Sequence, residues 1–195
     1  MELLTFAHKK EATAFLSSAP YTLHKEAGIK YHTSGDTIIL ITGEGMEKTQ
    51  MALEAFFENS YYKINHILNL GFAGSLSQDF HPGETFKVVS CHKWEGDWSS
   101  EQPLETTNGK NGIELVTSHS RIHDKELAGE LSVKAKIVDR EFWTIANFAA
   151  ENALSYGSYK IISDYAFEFT TISLIKKKAL DYSKALYDFY LQNSF

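Results

Sequence analysis

Ile64-Asn65-His66-Ile67-Leu68-Asn69-Leu70-Gly71-Phe72-Ala73-Gly74 is the stretch on which the fold turns. Ile64 to Leu70 reads as an apolar strand, and Gly71-Phe72-Ala73-Gly74 reads as the break that stops it. Working back from it, residues 46–59 form an amphipathic helix pattern that opens after Thr42-Gly43-Glu44-Gly45. Residues 27–33 and 37–42 form a hairpin around Ser34-Gly35-Asp36, and residues 2–7 give a first short strand with a helical pattern after it to about Leu16. Working forward, strands fit residues 84–93, 113–117, 135–138 and 158–163, and helices fit 140–154 and 172–191. Between Glu95 and Gly112 the chain turns polar and aperiodic, which predicts a long surface loop. Strands alternating with helices predict an α/β layered fold with a parallel or mixed central sheet. No internal repeat or linker interrupts residues 1–195, which read as a single domain.

Hydrophobic residues make up 43% of the chain and aromatics 13%, which predicts a packed globule and excludes disorder. A formal charge of −6 without a basic stripe argues against nucleic acid as a partner. The lone Cys91 excludes an internal disulfide framework and fits a reducing compartment. Met1 to Ala7 lacks a basic leader pattern, and no stretch approaches a membrane span. The expected setting is the cytoplasm, with no membrane partner.

In layered sheets, ligands bind beyond the carboxyl ends of the strands. Glu11, Glu141 and Asp164 each stand at or just past an expected strand end, and the Gly43/Gly45 and Gly71/Gly74 breaks fall on the same edge. Far apart in sequence, the three acids would converge in space on one edge of the sheet and mark a ligand site.

The order and wording of these segments resemble the nucleoside phosphorylase/nucleosidase superfamily, most closely its methylthioadenosine/adenosylhomocysteine nucleosidases. Phe6-Ala7-His8-Lys9-Lys10-Glu11 resembles the family's first strand and acidic helix start. Ile41-Thr42-Gly43-Glu44-Gly45-Met46-Glu47-Lys48 is similar to its Gly-x-Gly-Lys turn. Asn69-Leu70-Gly71-Phe72-Ala73-Gly74 with His81-Pro82-Gly83-Glu84 resembles "N-x-G-x-A-G … G-D". Val138-Asp139-Arg140-Glu141 resembles the ribose motif "V-[DE]-M-E", and Lys160-Ile161-Ile162-Ser163-Asp164-Tyr165-Ala166 resembles "R-x-I-S-D-x-A". Five such segments in family order, reaching from the first strand to about Ala166, form a fairly specific signal.

The resemblance implies a three-layer sandwich with a mixed central sheet and a hydrolase that releases free base from a purine nucleoside. It implies Asp164 as the acid that protonates the purine near N7, Glu141 as the group holding the ribose hydroxyls, and Glu11 as general base on water. It places Gly71, Phe72, Ala73, Gly74, Ile122, Arg140, Lys160 and Ser163 at the substrate. Methylthioadenosine and adenosylhomocysteine are the first expected substrates, with no metal or organic cofactor and with a homodimer as the assembly.

A phosphorylase must clamp phosphate, usually with arginine forks. Only Arg121 and Arg140 are available here, and Asn69 stands where many phosphorylases resemble one another in carrying an arginine. Water is therefore the expected nucleophile. Several positions depart from the family: Phe72 replaces a small hydroxyl residue, Arg140 a methionine, Lys160 an arginine, and Arg121 a base-stacking aromatic. These departures leave three alternatives beside the first reading: a futalosine hydrolase, a purine nucleoside phosphorylase and a non-catalytic nucleoside-binding protein.

Other signals carry less. His119 and His123 lack a third metal ligand, Lys176-Lys177-Lys178 reads as a solvated helix face, and Trp94 and Trp98 read as packing residues or as a pair that stacks on a purine or covers an interface.

Overall fold

The computed structural model describes residues 1–26, 28–98, 102–107, 109–168 and 172–193. Ala27, at the start of the expected hairpin, and residues 99–101 and 108 of the expected loop lie outside them. In chain order the first half holds β1 (Glu2–Phe6), α1 (Thr13–Ser17), β2 (Thr22–Glu26), β3 (Ile29–Ser34), β4 (Thr37–Ile41), α2 (Met46–Asn59) and β5 (His66–Ser75). The second half holds β6 (Thr85–Trp94), β7 (Leu104–Glu105), β8 (Ile113–Ser118), α3 (Lys125–Ser132) and β9 (Ile137–Asp139). It closes with α4 (Phe142–Glu151), β10 (Ser155–Tyr165) and α5 (Ile172–Asn193).

Successive side chains on the inner strands feed two separate cores. Leu3, Ile38, Leu40 and Ile67 pack with Leu53 and Phe56 of α2 and Phe142 and Ile145 of α4. Leu4, Ile39, Leu68 and Leu70 point the other way, onto Phe15 of α1 and Tyr182 and Leu186 of α5. Period-two alternation thus builds three layers, helices over both faces of one mixed sheet. Each fully buried Leu or Ile here stabilises the fold by about 1.5–3 kcal/mol.

β5 is the strand that holds the sheet together. Its first half pairs parallel with β1, which pairs parallel with β4; β3 and β2 extend that side antiparallel. Its other edge pairs parallel with β10 along the whole length. β10 then runs antiparallel to β6, β6 parallel to β8, and β8 parallel to β9. β9 returns antiparallel to Gly74 and Ser75 of β5. Five strands (β5, β10, β6, β8 and β9) therefore close a ring, with the remaining strands attached as a wing.

A buried polar row fixes the register at the hub. Asn69 Nδ2 donates to Thr5 O and Thr5 Oγ1, each at 3.3 Å, and Ser158 Oγ donates to Asn69 Oδ1 at 3.3 Å. Thr5, Asn69 and Ser158 are register partners on β1, β5 and β10, so any slip would bury unpaired polar groups. Asn69 thus has a structural task in the middle of the sheet.

The structure departs from the sequence reading in several places. β5 does not stop at Gly71 but runs through the glycines to Ser75. Gly74 is in the strand because it pairs with Asp164 of β10 and Val138 of β9, and it is a glycine where a Cβ would stand 3.0 Å from Ala166 Cβ. The helix expected at 140–154 is shorter, because Asp139 caps Phe142 N–H at 3.1 Å and Ala153 (φ 54) turns the chain out. β10 is longer than the expected 158–163, and β2, α3 and the two-residue β7 inside the polar stretch were not foreseen. Among the described residues no helix is long and apolar enough to cross a membrane.

Candidate active site

Beyond the carboxyl ends of β1, β5, β9 and β10 lies a cavity of about 540 Å³. Glu11, Glu141 and Asp164, which are far apart in sequence, all line it.

Glu11 follows β1 in a tight turn, its own N–H donating to His8 O at 3.0 Å. Its carboxylate curls back to accept His8 N–H at 3.0 Å and reaches across to accept Phe72 N–H at 3.3 Å. Ser183 of α5 holds the turn from behind, its Oγ donating to Glu11 O at 2.7 Å. Burial raises the Glu11 carboxyl above its ordinary pKa, against the two N–H donors and the positive charge of Lys160. The side chain of Gly71 would have pointed here, since a Cβ on it would stand 3.5 Å from both Glu11 oxygens.

Glu141 sits between β9 and α4, and its Oε1 accepts Gly45 N–H at 2.7 Å. Gly45 has φ 94, a conformation that favours glycine and turns its N–H toward the carboxylate as α2 begins. Burial raises the Glu141 carboxyl, the negative Asp139 nearby raises it further, and Lys160 opposes both.

Asp164 follows the bulge in β10, between Ile162 and Asp164. Ser163 Oγ lies 2.5 Å from Asp164 Oδ1 and 3.3 Å from Ala73 O. Burial raises the Asp164 carboxyl, offset by the Ser163 hydroxyl and by Arg121 and His123.

Beneath this floor, Lys160 Nζ pairs with Asp139 Oδ2 at 2.7 Å. Asp139 also accepts the Thr117 hydroxyl at 2.6 Å. Glu44 occupies the rim: Arg140 Nη1 reaches its Oε1 at 2.7 Å, and Arg121 Nη2 and His8 Nε2 stand at 3.5 Å from its carboxylate. Burial alone would raise Glu44, but the two guanidiniums outweigh it and hold the carboxyl below its ordinary value.

Of the residues expected at the substrate, Phe72, Ala73, Gly74, Ile122, Arg140 and Ser163 line the cavity. Gly71 and Lys160 are not among its walls. Lys160 is 1% exposed and acts as the buried counter-charge of Asp139. The sequence reading gave no role to Asp139, Glu44 or His8, although all three lie inside the segments it singled out. Lys176 lines the mouth rather than a purely solvated face. Trp94 and Trp98 pack edge to face at 5.3 Å away from the cavity. Among the described residues no group of three or more His, Cys, Asp or Glu is placed to hold a metal ion.

No protein-family model and no curated protein sequence matches the chain. Solved structures match along nearly its whole length. The 5′-methylthioadenosine/S-adenosylhomocysteine nucleosidase of Campylobacter jejuni covers 99% of this chain and 97% of its own, at a TM-score of 0.84 and 15% identity. A futalosine hydrolase mutant of Helicobacter pylori covers 96% and 95%, at 0.81 and 14%. The S-adenosylhomocysteine nucleosidase of Streptococcus pyogenes, in complex with 5-methylthiotubericidin, covers 96% and 93%, at 0.80 and 15%. The chain has the nucleoside phosphorylase/nucleosidase fold. At such identities the likeness is one of fold, and activity has to be argued from the cavity.

Proposed function

We propose that this protein is a nucleosidase that hydrolyses the N-ribosidic bond of a purine nucleoside, with 5′-thio-substituted adenosines as the first substrates to test. The observation that carries the reading is the convergence of three carboxyls, all raised by burial, on one cavity of about 540 Å³.

Each carboxyl suits one part of the reaction. Asp164, whose carboxyl burial raises, is the acid of this reading: it delivers a proton to the departing purine, so the base leaves neutral. Ser163 opposes that state, since its hydroxyl donates to Asp164 Oδ1, and burial outweighs it. Glu141, fixed by Gly45 N–H, accepts the ribose hydroxyls; burial pushes its carboxyl up to about 8, so it sets negative charge beside the cationic sugar in its ionised form, toward alkaline pH. Glu11 takes a proton from the attacking water, whose oxygen bonds to the anomeric carbon as the bond to the base breaks. The products are free base and the free sugar.

Methylthioadenosine, adenosylhomocysteine, adenosine, inosine and futalosine, incubated with and without inorganic phosphate, test the reading by chromatography of released base. Phosphate-independent release from at least one of them is expected, with Asp164→Asn slowing it at least about 100-fold. Full activity in Asp164→Asn would sink the mechanism. One observation favours a second reading, phosphorolysis: both arginines of the chain line the cavity. Turnover that requires phosphate and yields a sugar phosphate would establish that instead.

A further inference from the structure

At the rim of the cavity one carboxylate gathers basic side chains from three other segments. Glu44 stands in the turn between β4 and α2, His8 after β1, Arg121 between β8 and α3, and Arg140 between β9 and α4. Glu44 Oε1 meets Arg140 Nη1 at 2.7 Å and lies 3.5 Å from Arg121 Nη2, while its Oε2 lies 3.5 Å from His8 Nε2. The turn that carries Glu44 is itself fixed, because the next residue, Gly45, donates its N–H to Glu141 at 2.7 Å. Arg140 is held a second time, by His119 O at 3.3 Å. Arg121 is the loose member. Among the described residues it forms one ion pair, with Glu44, and its side chain is 42% exposed.

Arg121 has a second carboxyl to turn to, because it lines the same cavity as Asp164. Burial raises Asp164, and after the Ser163 hydroxyl the Arg121 guanidinium is the largest influence that lowers it. That pull runs against the task given to Asp164, which needs a proton to hand to the departing base. An opposite charge brought within about 4–6 Å of a carboxyl lowers its pKa by about 1–3 pH units, so a guanidinium released onto Asp164 would disarm the acid. The other charges around Asp164 do not prevent this. His123 acts in the same direction as Arg121 and Glu168 opposes both, while Lys176 of α5, Glu11 and Glu141 stand on the remaining walls.

We propose that Glu44 is a positioning residue for the leaving-group acid: it holds Arg121 at the rim and off Asp164, so that the proton on Asp164 remains available to the base. The inference rests on the reading of Asp164 as that acid. Glu44 suits the task because Arg140 anchors its carboxylate from one side and the Gly45 turn fixes its backbone from the other. It is a stationary anion, and Arg121 is the partner free to move. Glu44 acts through Arg121, not on Asp164 itself.

Carbon-13 NMR titration of the side-chain carboxyls in the whole protein tests the proposal, with the Asp164 resonance assigned by its absence from Asp164→Asn. Glu44→Gln frees Arg121 and should lower the Asp164 midpoint by at least about one pH unit. Arg121→Gln should raise the midpoint, and adding Glu44→Gln to it should leave the midpoint where Arg121→Gln put it. Base release from methylthioadenosine, adenosine and inosine gives the second readout. The alkaline limb of kcat/KM should move to lower pH in Glu44→Gln and return in the double variant. Both readouts are pH midpoints, which a smaller folded fraction would not displace. A midpoint that Glu44→Gln leaves in place overturns the proposal. So does one that Glu44→Gln shifts equally with and without Arg121, since the Glu44 charge would then act directly. A midpoint that moves while the alkaline limb stays fixed overturns the role given to Glu44, because Asp164 is then not the acid. A midpoint that moves while no nucleoside releases base sustains the hold of Glu44 on Arg121 and refutes the nucleosidase reading instead.

Discussion

Replacing Lys160 by methionine keeps the length of the side chain and removes one charge from the most enclosed ion pair in the site. The effect follows from its surroundings. Lys160 and Asp139 are 1% and 5% exposed and meet at 2.7 Å. Removing one member of a buried pair costs about 3–5 kcal/mol, because the partner is left as an uncompensated charge. Asp139 keeps the Thr117 hydroxyl at 2.6 Å and the Phe142 N–H at 3.1 Å, which places the loss near the lower end, about 3 kcal/mol. For a domain of this size that corresponds to a fall in Tm of roughly 6–12 °C. The assay is thermal and urea denaturation of the wild type, Lys160→Met, Asp139→Asn and the double variant. The double variant should lose less than the sum of the singles by at least about 1 kcal/mol. Activity provides a second readout. Lys160 lowers the pKa of both Glu11 and Glu141, so its removal raises both. Glu11 must be ionised to act as base, and the acid limb of the rate profile should therefore move to higher pH. A stability loss under about 1 kcal/mol with additive singles would refute the assignment of Lys160 as structural counter-charge.

Glu141→Gln should abolish base release yet stabilise the protein at alkaline pH. A carboxyl raised in the folded state contributes stability that is present below its unfolded pKa and lost as pH rises through the folded value. The glutamine does not titrate and keeps an oxygen for Gly45 N–H. Its advantage should grow from pH 5 to pH 9, reaching at least about 1 kcal/mol. An advantage that shrinks over that range contradicts the raised pKa. Gly74→Ala places a Cβ 3.0 Å from Ala166 Cβ and should cost about 1–2 kcal/mol in chemical denaturation. Ala166→Gly in the same chain should recover most of that loss, and no recovery would mean the crowding lies elsewhere.

The alternation of strand and helix patterns, the hairpin at Ser34-Gly35-Asp36 and the three acids at strand ends were legible without coordinates. They depend on local periodicity and on turn chemistry, both of which act over a few residues. Ile64-Asn65-His66-Ile67-Leu68-Asn69-Leu70 declared a strand because apolar side chains recur along it, yet its true end at Ser75 could not be read. Gly71 and Gly74 are ordinary turn residues by composition, and only pairing with Asp164 of β10 and Val138 of β9 makes Gly74 a strand residue. The closing of five strands into a ring was hidden for a similar reason, since β9 meets β5 through two residue pairs alone.

In the site, the sequence determined which groups are available: three carboxyls in family order, two arginines and one lysine after the final strand begins. The tertiary structure decided what each faces. Lys160 is motif-placed for the substrate, but β10 directs it under the floor to Asp139, where water is excluded and only an opposite charge makes its burial tolerable. Glu44 reads as a loop residue between two glycines, and becomes the rim's anion because Arg140 and Arg121 arrive from elsewhere in the chain. Residue identity fixes charge and hydrogen-bonding capacity; burial and long-range pairing set the pKa and the partner, and these exist only once the chain has folded.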